Sequence, residues 1–147
     1  MPVRVYLAAA MTTPAAEIAT VQALLAALEN AGHRVPSRHV ASPGATGQDA
    51  DLSDAQLAAR DLAWLASCDA VVAEVSTPSH GVGAEVMAAA AAGLPVLALA
   101  RRGVRVSRLL AGLPGVQLAS YSDRHQAVTL AIRFLSTLQR LGARPFN

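Results

Sequence analysis

The stretch Ser79-His80-Gly81-Val82-Gly83-Ala84-Glu85 sets a carboxylate just after two closely spaced glycines, where a helical pattern begins. A carboxylate in a first helical turn gains from the helix dipole and from free backbone N–H groups, which favour its ionised form. Facing a pocket, such a group is a nucleophile or a stabiliser of a developing cation. Gly81 and Gly83 let backbone approach a ligand closely. The competing reading is an acid placed there only because first turns favour acids. The chain has no complete GxGxxG, so it lacks a dinucleotide fingerprint.

Asp61 is the second acid of interest. At about 100° per residue, Leu57, Trp64, Leu65 and Cys68 form one apolar arc with Asp61 in its middle. A carboxylate on a buried face costs several kcal/mol unless it is paired or protonated. Two outcomes fit: a salt bridge to an arginine, or a raised pKa used for general acid catalysis. Glu74, in a run of Val and Ala, is the third acid and either orients a neighbour or meets a structural partner. Tyr6 either projects its hydroxyl to the same crevice or simply packs. His33, His39, His80 and His125 have no HxxxH-type spacing, which argues against a metal site. Ser79 and Ser107 adjoin helix starts, where capping competes with anion binding. Arg101, Arg102, Arg105 and Arg108 form either a solvated face or a site for a phosphate or acidic partner.

The elements that must position these groups alternate. Val3 to Ala8 reads as a buried strand, and a helix follows from Pro14, with Thr13 as its cap and Ile18, Val21, Leu25 and Leu28 as its apolar stripe. Arg34 to Pro36 reads as a short strand and Ser42 to Asp51 as a flexible loop. A second helix is expected from Ser53 to Ser67, a strand from Ala70 to Val75, and a helix from Gly83 to Ala92 ended by Gly93 and Pro95. Pro95 to Ala100 is another strand, Val106 to Ala111 a short helix, Val116 to Leu118 a weak strand and Asp123 to Leu141 a final helix. This alternation predicts an α/β fold: one doubly wound, five-stranded parallel sheet of order 2-1-3-4-5, Rossmann- or flavodoxin-like, in a single domain over residues 1–147. Ligands in such sheets bind beyond the strand carboxyl ends at the chain reversal, which nominates the loops Ala8 to Thr13 and Ser76 to Gly83.

Composition narrows the function. The 147 residues are 53% hydrophobic but only 3% aromatic, so stacking platforms for single-stranded nucleic acid are nearly excluded. All 12 basic residues are arginine, which removes lysine chemistry, and a net charge of +2 is too small for a duplex-binding surface. One cysteine, Cys68, forbids an internal disulfide and a cysteine-cluster metal site. No 18-residue charge-free apolar stretch and no leader pattern is present, so the expectation is a cytoplasmic protein with no membrane partner.

Val5-Tyr6-Leu7, Asp61-Leu62-Ala63-Trp64-Leu65, Asp69 through Val75 and Pro78 through Glu85 together resemble the nucleoside 2-deoxyribosyltransferase-like superfamily, most closely its 2′-deoxynucleoside 5′-monophosphate N-hydrolase branch. The resemblance runs from about Val3 to Gly112. It implies cleavage of an N-glycosidic bond without metal or organic cofactor, releasing base and 2-deoxyribose 5-phosphate. Glu85 would be the nucleophile, Asp61 the proton donor to the departing base and activator of the resolving water, and Tyr6 the group orienting Glu85 or the sugar. Ser79, Gly81 and their neighbour Gly83 would hold the 5′-phosphate, with Ser107 contributed by the second subunit of a homodimer, and His39 would lie near the base. Where the hydrolases carry a Gly-Ser-Ile-Arg-like stretch, this chain has Ala9, Ala10, Met11 and Thr12, without the serine hydroxyl or the guanidinium. Either Thr12, Thr13 or the arginine cluster takes over the phosphate, or the substrate is a nucleoside or a nucleotide with a modified base. Transfer of deoxyribose between bases, and nucleotide binding without catalysis, are the alternatives to hydrolysis.

Overall fold

The computed structural model describes residues 2–142. Four strands, β1 (Val5–Ala9), β2 (Ala70–Glu74), β3 (Val96–Arg101) and β4 (Val116–Tyr121), form one parallel sheet in the order β1-β2-β3-β4. Helices α1 (Ala15–Asn30), α2 (Ala45–Gln48), α3 (Asp54–Ala66), α4 (His80–Ala91), α5 (Arg108–Ala111) and α6 (Arg124–Arg140) alternate with them, and a 3-10 turn spans Arg38–Ala41.

Alternate strand residues point to opposite faces, and two cores result. Val5, Leu7, Val72, Leu97 and Leu99 pack against Val21, Leu24 and Leu28 of α1 and Ala127, Ala131 and Leu135 of α6. Tyr6, Ala8, Val71, Ala73, Val96 and Ala98 face the other way, onto Leu65 of α3 and Val82, Val86 and Ala89 of α4. The small alanines of β1 to β3 let α4 sit close to the sheet. The sheet is thus covered on both sides, as a parallel sheet of near-continuous apolar strands requires. Among the described residues, no helix is long and apolar enough to cross a membrane.

The expected five-stranded sheet is corrected to four strands. Arg34 makes only an isolated parallel bridge to Arg4, closed by Val5 N–H to Arg34 O at 2.8 Å and Arg34 N–H to Val3 O at 3.0 Å. The ladder stops there because Pro36 has no N–H to donate, and because Ser37 takes the next pairing positions with its side chain. Its Oγ accepts from Leu7 N–H at 2.9 Å and donates to Leu7 O at 2.8 Å. The segment expected to be a flexible loop, Ser42 to Asp51, contains α2 and packs Ala45 into the interior.

Candidate active site

The loops after β1 and β2 and the start of α4 enclose a cavity of about 140 Å³, lined by Tyr6, His39, Asp49, Asp61, Ser79, Gly81 and Glu85 among others. Three of the groups singled out in the sequence for chemistry, Glu85, Asp61 and Tyr6, therefore meet in one space.

Glu85 reaches it from the second turn of α4, not the first. Ser79 starts the helix earlier than its glycines suggest, because its Oγ accepts from Val82 N–H at 3.2 Å and caps it. The helix dipole is accordingly a smaller influence than the sequence implied. Burial dominates instead, and with the nearby Asp61 charge it raises the carboxyl from 4.5 to about 7, against the opposing Tyr6 hydrogen bond. Tyr6, whose β1 position points to the α4 face, donates its hydroxyl to Glu85 Oε1 at 2.7 Å. Burial and the Glu85 charge drive the Tyr6 pKa far upward, so the hydroxyl stays a donor.

Asp61 is paired. Its Oδ1 accepts from Arg60 Nε at 2.9 Å, with Arg60 Nη2 at 2.8 Å, while its carboxyl still lines the cavity. Arg60 also donates through Nη1 to Asp49 Oδ1 at 2.7 Å. The Arg60 bond holds the Asp49 carboxyl below its ordinary range. His39 Nε2 lies 3.6 Å from Asp49 Oδ2, and its ring centroid is 5.5 Å from that of Trp64. Asp49 and Arg60 were missed in the sequence. Asp49 was assigned to a loop, and the only available signal for Arg60 was its adjacency to Asp61.

The binding residues divide. Ser79, Gly81 and His39 line the cavity; Gly83 and Ser107 instead line an adjoining groove of about 390 Å³ whose walls share Ser79 and Val82 with it. Ser107 precedes α5, and its side chain makes no capping bond there. Arg105 joins this groove. A Cβ at Gly83 would meet nothing within 4 Å, so the residue leaves open space rather than relieving a clash. Thr12 is exposed and lines neither of these two spaces; the tight turn in which Thr13 N–H and its hydroxyl both donate to Ala10 O carries it outward.

Glu74 is not part of the site. It sits on the α1 face with Val72, 1% exposed, its Oε1 accepting from Ser76 N–H at 3.1 Å, from the Ser76 hydroxyl and from Tyr121 Oη at 3.1 Å. Burial raises its pKa despite those bonds. It ties β2 to β4 across the sheet's carboxyl edge. Nearby, Arg101 pairs with Glu17, so the arginine cluster is split between the two faces. Among the described residues, no group of three or more His, Cys, Asp or Glu is arranged to hold a metal.

An ionisable carboxylate held by a tyrosine, facing a second carboxylate across a small cavity, is suited to covalent displacement at a sugar carbon. Similar proteins give the family. The family model of nucleoside 2-deoxyribosyltransferases matches residues 5–122. A Methanosarcina mazei protein with the provisional name 2′-deoxynucleoside 5′-phosphate N-hydrolase 1 is 38% identical over 114 residues, covering 76% of this chain and 71% of its own. A Thermofilum pendens protein of the same provisional name is 37% identical over 129 residues, covering 85% and 90%. The solved structure of a CMP N-glycosidase from Clostridium botulinum superposes with a TM-score of 0.69 at 23% identity, over 89% of this chain and 98% of that one, and shares the fold. The chain belongs to the nucleoside 2-deoxyribosyltransferase family.

Proposed function

We propose that this protein hydrolyses the N-glycosidic bond of 2′-deoxynucleoside 5′-monophosphates, through a glycosyl ester on Glu85. The observation that carries the reading is the convergence of Glu85, Tyr6 and Asp61 on one cavity at the carboxyl end of the sheet. The names of the Methanosarcina mazei and Thermofilum pendens relatives supply the substrate class.

The two carboxyl groups share one proton, which lies on Asp61 in the reacting form and leaves Glu85 ionised, with no Asp61 charge then opposing it. The Glu85 carboxylate attacks C1′ as the C1′–N bond breaks. The bonding pair goes to the base nitrogen, and Asp61 protonates the departing base. In the second half, Asp61 takes a proton from water, the hydroxide oxygen bonds to C1′, and Glu85 leaves as a carboxylate. Tyr6 steadies Glu85 in both halves: its hydroxyl bonds the ionised form and holds one oxygen while the other reacts. The transition state is oxocarbenium-like, so a negative oxygen close to C1′ lowers its energy.

The phosphate belongs at the join of the cavity and the adjoining groove. Ser79, whose hydroxyl hydrogen is uncommitted by its capping bond, and Gly81 lie on that join, and Arg105 and Ser107 lie beyond it. Arg105 stands in for the guanidinium missing from Ala9 to Thr12. A homodimer fits this arrangement, with Arg105 and Ser107 of one copy together completing the phosphate site of the other. Its support is the exposure of Met87 (50%) and Leu109 (76%) on the groove walls, since exposed large apolar side chains grouped together mark contact surfaces.

A nucleoside substrate is the second reading, favoured by one observation: among the described residues, no arginine lines the Glu85 cavity itself. Incubation with dGMP, and separately with deoxyinosine plus adenine, separates the readings. Free guanine and 2-deoxyribose 5-phosphate support the hydrolase. Deoxyadenosine formation supports transfer between nucleosides. Binding of dGMP without any product, unchanged in Glu85→Ala, would make the protein a binding module and defeat both.

A further inference from the structure

Arg60 commits every nitrogen of its guanidinium beside the cavity. Nε and Nη2 both meet Asp61 Oδ1, at 2.9 and 2.8 Å, and Nη1 meets Asp49 Oδ1 at 2.7 Å. Nη2 also lies 3.4 Å from His39 Nε2, and the guanidinium carbon sits 4.6 Å from the centre of the Trp64 ring. Neighbouring helix residues splay about 100° apart and do not ordinarily face one another. The contact between Arg60 and Asp61 forms because Trp64, one turn along α3, and Asp49, from the segment after α2, hold the planar fork back over the helix. Every contact to Asp61 goes to Oδ1. Its Oδ2 has no partner among the described residues, while the side chain lines the cavity with Glu85.

We propose that Arg60 is a positioning residue for proton transfer to the departing base: it anchors Asp61 Oδ1, presents Oδ2 to the cavity, and stabilises the carboxylate that Asp61 becomes. The inference rests on the reading of Asp61 as the proton donor. In the first half-reaction, the C1′–N bond breaks with its electron pair moving to the base, the Oδ2–H proton moves to the base, and Glu85 bonds to C1′. One negative charge is lost at Glu85 and one appears at Asp61. A fixed cation against Asp61 rather than Glu85 pulls that charge in the productive direction, and a guanidinium held by two acids and a ring need not reorganise to do so.

The contribution scales with how much the leaving group needs a proton, which separates it from a structural role. The test measures kcat and KM for wild type, Arg60→Gln and Arg60→Lys on a 2′-deoxynucleoside 5′-monophosphate, and on 4-nitrophenyl 2-deoxyriboside 5-phosphate, whose leaving group departs as a stable anion. Arg60→Gln is expected to lose about tenfold or more in kcat on the nucleotide with little change in KM, as for one charge-assisted contact. It is expected to keep near wild-type turnover of the nitrophenyl substrate, and Arg60→Lys to recover part of the loss. Equal losses on both substrates, or none on either, overturn the proposal. Thermal melting checks each variant. Should Arg60→Gln not fold, Asp49→Asn loosens the same brace and is expected to show the same split at smaller size; an unsplit effect there overturns the proposal equally. A wild-type protein that cleaves neither substrate would bring down the glycosidase reading itself, an outcome distinct from an active wild type with unsplit variants.

Discussion

The Tyr6 hydroxyl and Glu85 Oε1, 79 residues apart in the chain, are joined by a 2.7 Å hydrogen bond at the floor of the cavity. The bond connects β1 to α4 across the face of the sheet. It also opposes burial: Glu85 is pushed up to about 7 by desolvation, and Tyr6 holds it from rising further. The nucleophile is therefore close to half-ionised near neutral pH.

Tyr6→Phe removes the donor that favours the ionised form. A bond to a charged group is worth about 1.5–3 kcal/mol, so turnover at neutral pH should fall by roughly tenfold or more. The acid limb of kcat/KM, expected near pH 7 in the wild type from the Glu85 value, should move to higher pH. A pH–rate profile of the two proteins checks both. An unmoved limb would detach Tyr6 from the nucleophile.

Stability carries the same signature with a definite sign. The Glu85 carboxyl ionises near 4.5 in an ordinary setting and near 7 in the folded chain. Its protonated form is the one the fold favours, so its contribution is complete below 4.5 and is lost as pH rises through 7. Glu85→Gln does not titrate. It should melt like the wild type at pH 4.5 and at a higher temperature above pH 7.5, as measured by calorimetry. A variant less stable at the higher pH would mean that the carboxylate is not strained by burial.

Arg105 tests where the phosphate lies. It is exposed on the wall of the adjoining groove, beside Ser107. Arg105→Ala should raise KM for a deoxynucleoside monophosphate by roughly tenfold, one charge-assisted contact, and leave KM for the matching nucleoside unchanged. Equal KM changes for the two substrates would place the phosphate elsewhere.

Much of this was legible in the sequence, for physical reasons. An almost wholly apolar run such as Ala70 to Val75, broken only by Glu74, reads as a buried parallel strand, and the sequence pointed to the loop before Glu85 as the place to look for a site. The failures were tertiary. Nothing local says that Ser37 will occupy the backbone groups of Leu7 and end a fifth strand. Periodicity likewise cannot show that Asp49, in a loop-like run, returns to meet Arg60. Glu74 shows the converse limit. Strand alternation puts it on the α1 face, opposite Tyr6, but a list of acids near strand ends does not register which face each one takes. The start of α4 was misplaced because the glycines of His80 to Gly83 argue against a helix that the Ser79 cap and packing on the sheet impose.

The central claim is that Glu85 forms a bond to the sugar. Enzyme quenched in acid during turnover of a 2′-deoxynucleoside 5′-monophosphate, digested and weighed by mass spectrometry, tests it directly. The account predicts one deoxyribosyl 5-phosphate on the peptide bearing Glu85, and none in Glu85→Gln. Base release with that peptide unmodified, or with the sugar on another residue, would contradict it.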